Sequence, residues 1–272
     1  MAIARIVDMK VLTWNIRRAG AARKGLWDVL WREAPDIALL QELSGLPEWV
    51  PDRYHVHQVK PRYFSGRRAP FANAVLCRWP LDTAPFLRSH LDWVNDIHRE
   101  RDGWLLECRT RLDDGARIRL VSVHSPAFPI PAETLKNVDI APIKLDRNPD
   151  LWFTEVLWSL LGSRTNVNGE NWIVAGDFNS SLLFDRPVDR CNWQIAKRMN
   201  ELGLTDCLSQ SRGQPVATFR HSGGTVRHQI DYCYVNRPLL DRLNRVRVLD
   251  RADVFDRADP LSDHLPIICE FD

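Results

Sequence analysis

Six short polar clusters punctuate this chain, and they stand at the ends of apolar runs. In order they are Trp14-Asn15-Ile16-Arg17, Gln41-Glu42, Val123-His124-Ser125, Gly176-Asp177-Phe178-Asn179, Gln229-Ile230-Asp231-Tyr232 and Leu261-Ser262-Asp263-His264-Leu265-Pro266. The runs before the first four are short and rich in Val, Ile and Leu, which suits buried strands better than helices. A strand is a rigid scaffold, and the loop just beyond it is where chemistry collects. The fold must therefore bring many strand ends, from both halves of the chain, to one place.

The remaining pattern fits that demand. Strands are predicted over 7–16, 37–41, 72–77, 172–175, 229–235 and 267–271. Segments 104–112 and 117–124 flank Asp113-Asp114-Gly115-Ala116, a hairpin turn by composition. Helices are predicted over 24–33, stopped by Pro35, over 151–161, and over 192–202, ended by Gly203. Many strands, few helices and no strict βαβ alternation predict an α/β chain with mixed sheets rather than a doubly wound parallel sheet. The stretch 126–149 carries five prolines and little periodicity. It reads equally as a substrate-facing loop or a structural wrap.

No repeat or Gly/Ser-rich linker divides the 272 residues, so one domain over 1–272 is expected. With 44% hydrophobic residues a sizeable core is within reach. A net charge of +2 does not by itself announce a polyanion binder. Arginine far outnumbers lysine. Arginine forks onto phosphate, yet a GC-rich coding sequence explains the bias more simply. No run approaches the roughly 20 apolar residues of a membrane span. The first ten residues carry Arg5, Asp8 and Lys10 and do not read as a secretory signal. Six scattered cysteines without a C-x-x-C pair argue against a zinc finger and fit reduced thiols in a cytoplasmic protein. No membrane partner and no obligate protein partner are expected.

The clusters hold the groups that phosphodiester hydrolysis requires. The phosphate charge must be neutralised, a water aligned and deprotonated, and the leaving oxygen stabilised. A hard cation such as Mg²⁺ prefers carboxylate and amide oxygens, which Asn15, Glu42 and Asp263 offer, together with Asp177 and Asn179. Asp231 and His264 suit an oriented imidazole base. His124 suits a general acid or a phosphate contact. Each residue alone has an ordinary reading: Asp177 and Asn179 as turn formers, His264 as a structural histidine. The reading rests on all six clusters occurring together.

These clusters resemble, in order and approximate spacing from Asn15 to His264, those of the endonuclease/exonuclease/phosphatase superfamily. That superfamily includes pancreatic-type deoxyribonucleases and exonuclease III-type AP endonucleases. The resemblance implies a four-layer α/β sandwich, with two mixed sheets face to face and helices outside. It implies Mg²⁺ or Mn²⁺ held by Glu42, Asn15 and Asp263. Asp177 and Asn179 would position the water and the scissile phosphate, and Asp231 with His264 would form the base. His124 stands where deoxyribonucleases carry histidine and AP endonucleases usually carry tyrosine. The expected activity is metal-dependent hydrolysis of DNA, with phospholipid or phosphoinositide hydrolysis as the alternative and a non-catalytic scaffold as a third reading. The first cluster reads Asn15-Ile16-Arg17 where AP endonucleases usually read Asn-x-Asp. The glutamate that pairs with the first histidine in deoxyribonucleases has two candidates, Glu100 and Glu107. Arg17, Arg18, Arg62, Arg67, Arg68, Arg99 and Arg101 are candidates for a basic rim. Trp93 and Trp104 are candidates for stacking on bases.

Overall fold

The computed structural model describes residues 8–162 and 170–272. The strands in chain order are β1 Met9–Asn15, β2 Ile37–Leu43, β3 His55–Val59, β4 Ala72–Cys77, β5 Leu81–Asp82, β6 Leu105–Arg111 and β7 Arg117–His124. They continue as β8 Asn171–Asp177, β9 Leu204–Asp206, β10 Phe219–Arg220, β11 Val226–His228, β12 Asp231–Asn236, β13 Leu243–Val248 and β14 Ile267–Phe271. Of the strand predicted over 7–16, Val7 lies outside the described residues, as does most of the N-terminal stretch read for a signal.

Among the described residues two six-stranded sheets form. One has the order β13-β14-β1-β2-β4-β3, the other β5-β6-β7-β8-β12-β9, and β10 and β11 make a small ribbon. Both sheets are mixed. Each has one parallel pair, β1 with β2 and β7 with β8, among antiparallel neighbours.

Both faces of each sheet are covered, so the central strands read as continuous apolar runs instead of alternating ones. In β1 and β2, Val11, Ile37 and Leu39 enter the core between the sheets, where they meet Leu120, Ile173 and Cys233. Their neighbours Leu12, Trp14, Ala38 and Leu40 face outward onto Leu26, Trp27 and Leu30. Those three belong to the helix Lys24–Glu33, which ends at Ala34 in a left-handed conformation, because Pro35 disfavours another helical residue before it. In the second sheet Val121, Val123, Trp172 and Val174 face outward onto Phe153, Val156, Leu157 and Leu160 of the helix Phe153–Gly162. The outcome is the four-layer sandwich. All six cysteines are buried free thiols, five of them in the core between the sheets. Among the described residues no helix is long and apolar enough to cross a membrane.

The segment 126–149 is both things the sequence allowed. Ile130, Ile143 and Leu145 are buried against the body of the protein, while Leu145 and Asn148 line a cavity beside the polar clusters.

Candidate active site

Strand register builds the site. His124 at the end of β7 pairs with Asp177 at the end of β8, and Asp177 pairs with Asp231 at the start of β12. Three candidate catalytic groups thus share one row at one edge of the second sheet. In the first sheet Asn15 pairs with Gln41 in the same way, beside Glu42. The row needs a glycine at 176. Its φ is +144°, and a Cβ there would lie 1.9 Å from the Val123 carbonyl oxygen. Only glycine lets β7 and β8 approach at that point.

The two sheets meet through Asn15. Its amide Nδ2 donates to Asp177 Oδ2 at 3.0 Å and also bonds the Glu42 carboxylate, while its Oδ1 accepts the Arg17 N–H at 3.0 Å. Asp177 Oδ1 accepts the Asn179 N–H at 2.9 Å, and Asn179 Nδ2 bridges Asp177 Oδ2 and the Ser125 carbonyl at 3.2 and 2.7 Å. Glu42, Asn179, Arg17 and Arg18 all have left-handed φ of 47–57°. Such backbone strain in non-glycine residues is held in place by its surroundings and concentrates at functional sites.

His264 Nδ1 lies 3.0 Å from Asp231 Oδ2, and its Nε2 lies 3.8 Å from Asp177 Oδ2 and 3.9 Å from Asp263 Oδ1. Thr218 Oγ1 donates to Asp231 at 2.7 Å and fixes that carboxylate. Ser262 Oγ donates to the Asn15 carbonyl at 2.6 Å and accepts the His264 N–H at 3.1 Å, and the Trp14 indole donates to the His264 carbonyl at 2.9 Å. These bonds lock the last cluster onto the first. Burial opposes charge on His264, but Asp231, then Asp177 and Asp263, overcome it and push the imidazole up to about 10. Burial, with Asp231 adding repulsion against the help of His264, pushes Asp177 up to about 7.

His124 stands opposite. Asn73 Nδ2 donates to the Gly103 carbonyl at 2.7 Å, so its Oδ1 is the acceptor facing His124 Nδ1 at 3.1 Å. The imidazole therefore carries its proton on Nδ1. Burial, aided by the charge of His264, pushes His124 down to about 3, so it is neutral. Its unprotonated Nε2 faces Glu42 Oε1 at 3.7 Å with no proton to share.

The donor set fits a hard divalent cation at Glu42. Burial raises this carboxyl even though His264 and the exposed Arg18, 3.6 Å away, favour its charge. An under-neutralised carboxylate facing a second acceptor, with Asp263 and the Asn15 amide nearby, suits oxygen-seeking Mg²⁺. Asp177, Asp231 and His264 also place one ligand atom each within 4.8 Å of one another. Asp231 and His264 are already spent on each other there, which favours the Glu42 side for a cation.

Several expected roles are corrected. Glu107 does not reach His124: it accepts from His98 at 2.9 Å and from the Phe86 and Leu87 amides. Glu100, at the end of the helix Asp92–Glu100, lies beside Arg101 instead. The group that orients His124 is Asn73, which no motif marked. Trp104 is buried against His124, ring centroids 5.2 Å apart, and its indole N–H goes to the Arg62 carbonyl, so it is no platform for bases. Trp93 is partly buried against the outer core. Arg62 and Arg68 pair with Asp102, Arg99 pairs with Asp96, and Arg101 lies over Phe64. Of the candidate rim, Arg17 and Arg18 reach the site, 3.6 Å from Asp263 and Glu42.

The chain belongs to the Endonuclease/Exonuclease/phosphatase family, whose profile it matches over residues 12–264. Among solved structures it is similar to a 3′ phosphatase, NExo, from Neisseria bound to product DNA hairpin. Identity is 18%, coverage 97% of this chain and 99% of that one, and the TM-score 0.68. An AP endonuclease from Archaeoglobus fulgidus gives 21%, 97%, 99% and 0.65. A 3′-5′ exonuclease from Neisseria meningitidis gives 20%, 97%, 100% and 0.63. At these identities the likeness is one of fold. No curated protein matches the chain in sequence.

Proposed function

We propose that this chain is one catalytic domain that hydrolyses phosphodiester bonds of DNA with the help of Mg²⁺, for which Mn²⁺ can substitute. The observation that carries the reading is the in-register row of His124, Asp177 and Asp231, joined to Glu42 through the Asn15 amide. The DNA part draws on the relatives, which include a 3′ phosphatase bound to a DNA hairpin, an AP endonuclease and an exonuclease.

Glu42, Asp263 and the Asn15 side chain are the residues that would hold the cation. When bound, the cation supplies positive charge that neutralises the scissile phosphate and offsets the carboxylates that hold the proton on His264. Asp177, gripped by the Asn15 and Asn179 amides, aligns the attacking water. His264, oriented by Asp231 and Thr218, accepts that water's proton at Nε2, the nitrogen that faces Asp177. Asn179, whose Nδ2 is shared between Asp177 and the Ser125 carbonyl, would steady a phosphate oxygen by giving up one of those two bonds. His124 is on the opposite wall of the cleft, and it would serve the phosphate or the leaving oxygen only on taking a proton at Nε2, a charge that a bound phosphate favours.

Purified protein with Mg²⁺, offered plasmid DNA, abasic duplex, single-stranded DNA, RNA and phospholipids, is expected to cleave DNA and to stop on adding EDTA. Asp177→Asn and His264→Ala are each expected to lower turnover by about 10²–10⁴ while the protein stays folded. Hydrolysis of the lipids alone, or full cleavage by either variant, would overturn the proposal.

A further inference from the structure

Three of the cysteines in the core between the sheets meet at one point. Cys207 opens the helix Cys207–Arg212, Cys233 lies on β12 of the second sheet and Cys269 on β14 of the first. Their sulfurs all lie within 4.8 Å of one another, and every pair is in hydrogen-bonding contact. All three are buried, and Ile173, Val235, Leu239 and Val246 pack in the same cluster. The other two thiols of that core show what burial alone does. Cys77 donates to the Thr110 hydroxyl at 3.7 Å, and burial pushes Cys108 up, away from ionisation. In the trio, donation by Cys207 and then Cys269 outweighs burial and pushes Cys233 down to about 5. The thiolate is the form of cysteine that binds a metal.

The donor set selects the ion. Three sulfurs suit a soft cation, whereas hard Mg²⁺ seeks oxygen. A metal–thiolate bond of about 2.3 Å sets three sulfurs around an ion at about 4 Å from one another, a spacing the trio can meet with little movement. Among the described residues no histidine or carboxylate completes the group. The adjoining carboxylate, Asp206, is already engaged. It accepts from the Leu208, Ser209 and Cys233 N–H groups, the Ser209 hydroxyl and the Gln229 amide. Structural Zn²⁺ takes four ligands and iron–sulfur clusters take four cysteines, so three sulfurs alone favour Cu⁺.

We propose that Cys207, Cys233 and Cys269 form a three-sulfur site for one Cu⁺ ion, which ties β12 of the second sheet and β14 of the first to the helix Cys207–Arg212. This inference is independent of the nuclease reading. The ion arrives already reduced, so no electron moves. Each thiol that ligates releases its proton to solvent as its bond to the metal forms. Entry is from the side of the helix, the one ligand-bearing element outside the sheets. Hollows lined by Ser209 and Gln210 and by Gln210 and Ser211 flank it.

The test starts from reduced, metal-free protein without oxygen, titrated with Cu⁺ held by the coloured chelator bicinchoninate. A second arm refolds the full chain with Cu⁺ present, which gives the ion access before the core closes. In at least one arm each chain is expected to draw one Cu⁺ from the chelator and to keep it through desalting. X-ray absorption of the loaded wild type should show three sulfur neighbours and no oxygen or nitrogen. Cys233→Ala and Cys269→Ala should each weaken uptake by more than about 100-fold, beyond the loss of an outer-shell group. Cys108→Ala, in the same core but outside the trio, should leave uptake unchanged. The absorption measurement needs no variant, so it decides even where a variant fails to fold. Uptake in neither arm, uptake kept by Cys233→Ala, or fewer than three sulfur neighbours would overturn the assignment.

Discussion

His264 and His124 face the same cleft and are equally buried at 5% and 4% exposure, yet their titration is pushed in opposite directions. Burial drives both imidazoles towards neutrality. On the His264 side Asp231 sits in contact, with Asp177 and Asp263 just beyond, and their field outweighs burial. On the His124 side the contact is an amide oxygen, from Asn73, and burial prevails. The difference teaches that partner chemistry, not depth, assigns acid–base roles across this cleft. It also separates the two walls: one holds a charged ring among carboxylates, the other a neutral ring fixed by an amide.

The comparison can be broken from several directions. The largest effect should come from Gly176→Ala, which strikes both walls together by forcing β7 and β8 apart. The clash is with backbone, so loss of folded protein is expected, read by circular dichroism and by the yield of soluble protein. Next is Asp231→Asn, which removes the carboxylate that orients and charges His264. Turnover should fall by about 10⁴ with the fold intact, as when the orienting carboxylate of a His–Asp pair is lost elsewhere. Steady-state rates on the preferred DNA decide this, and a fall of under tenfold would end the base assignment. On the other wall, Asn73→Ala removes one acceptor shared by the His124 ring and the Glu42 N–H. An outer-shell loss of about 10–100-fold is expected, clearly smaller than for Asp231→Asn. Equal losses would erase the contrast between the walls.

The smallest effect on turnover should come from Glu155→Gln, which sharpens the same rule away from the proposed metal ligands. Glu155 is buried and accepts bonds from Thr154, Leu145 and Trp152, yet burial prevails and pushes it up to about 7. A carboxyl raised in the folded state stabilises fully below its unfolded value of about 4.5. That stability is lost as pH rises through 7. Glu155→Gln, which cannot ionise, should therefore gain on the wild type between pH 4.5 and 8, by at most about 3 kcal/mol. Thermal melts at the two pH values check the sign. A gap that does not change with pH would mean that the carboxyl is not held protonated.

Much of this was legible in the sequence because the site lies at strand ends, where an apolar run stops and a polar motif begins. Asn15, Glu42 and Asp177 could be read that way, while His264 was legible from its Ser262-Asp263-His264-Leu265-Pro266 motif just before β14; so were the central strands, whose covered faces leave continuous apolar runs. Edge strands were not legible. β3 and β13 are half exposed and mix His, Gln, Asn and Arg with Val, so neither periodicity nor apolarity marks them. The charged helix Asp92–Glu100 buries Val94 and Ile97 and otherwise has few apolar positions to announce it. Asn73 and Thr218 were hidden for another reason. They act on a histidine and an aspartate 51 and 13 residues away, and only the sheet register brings them together. Glu107 drew attention as a carboxylate in the strand next to that of His124, but its side chain reaches the Phe86 and Leu87 amides instead.

The central claim is the charge asymmetry of the two imidazoles, and long-range ¹H–¹⁵N NMR of the histidine rings in metal-free protein at pH 7.5 tests it most directly. His264 should show both nitrogens protonated, and His124 should show a neutral ring with its proton on Nδ1. Two neutral rings, or a charged His124, would contradict the account.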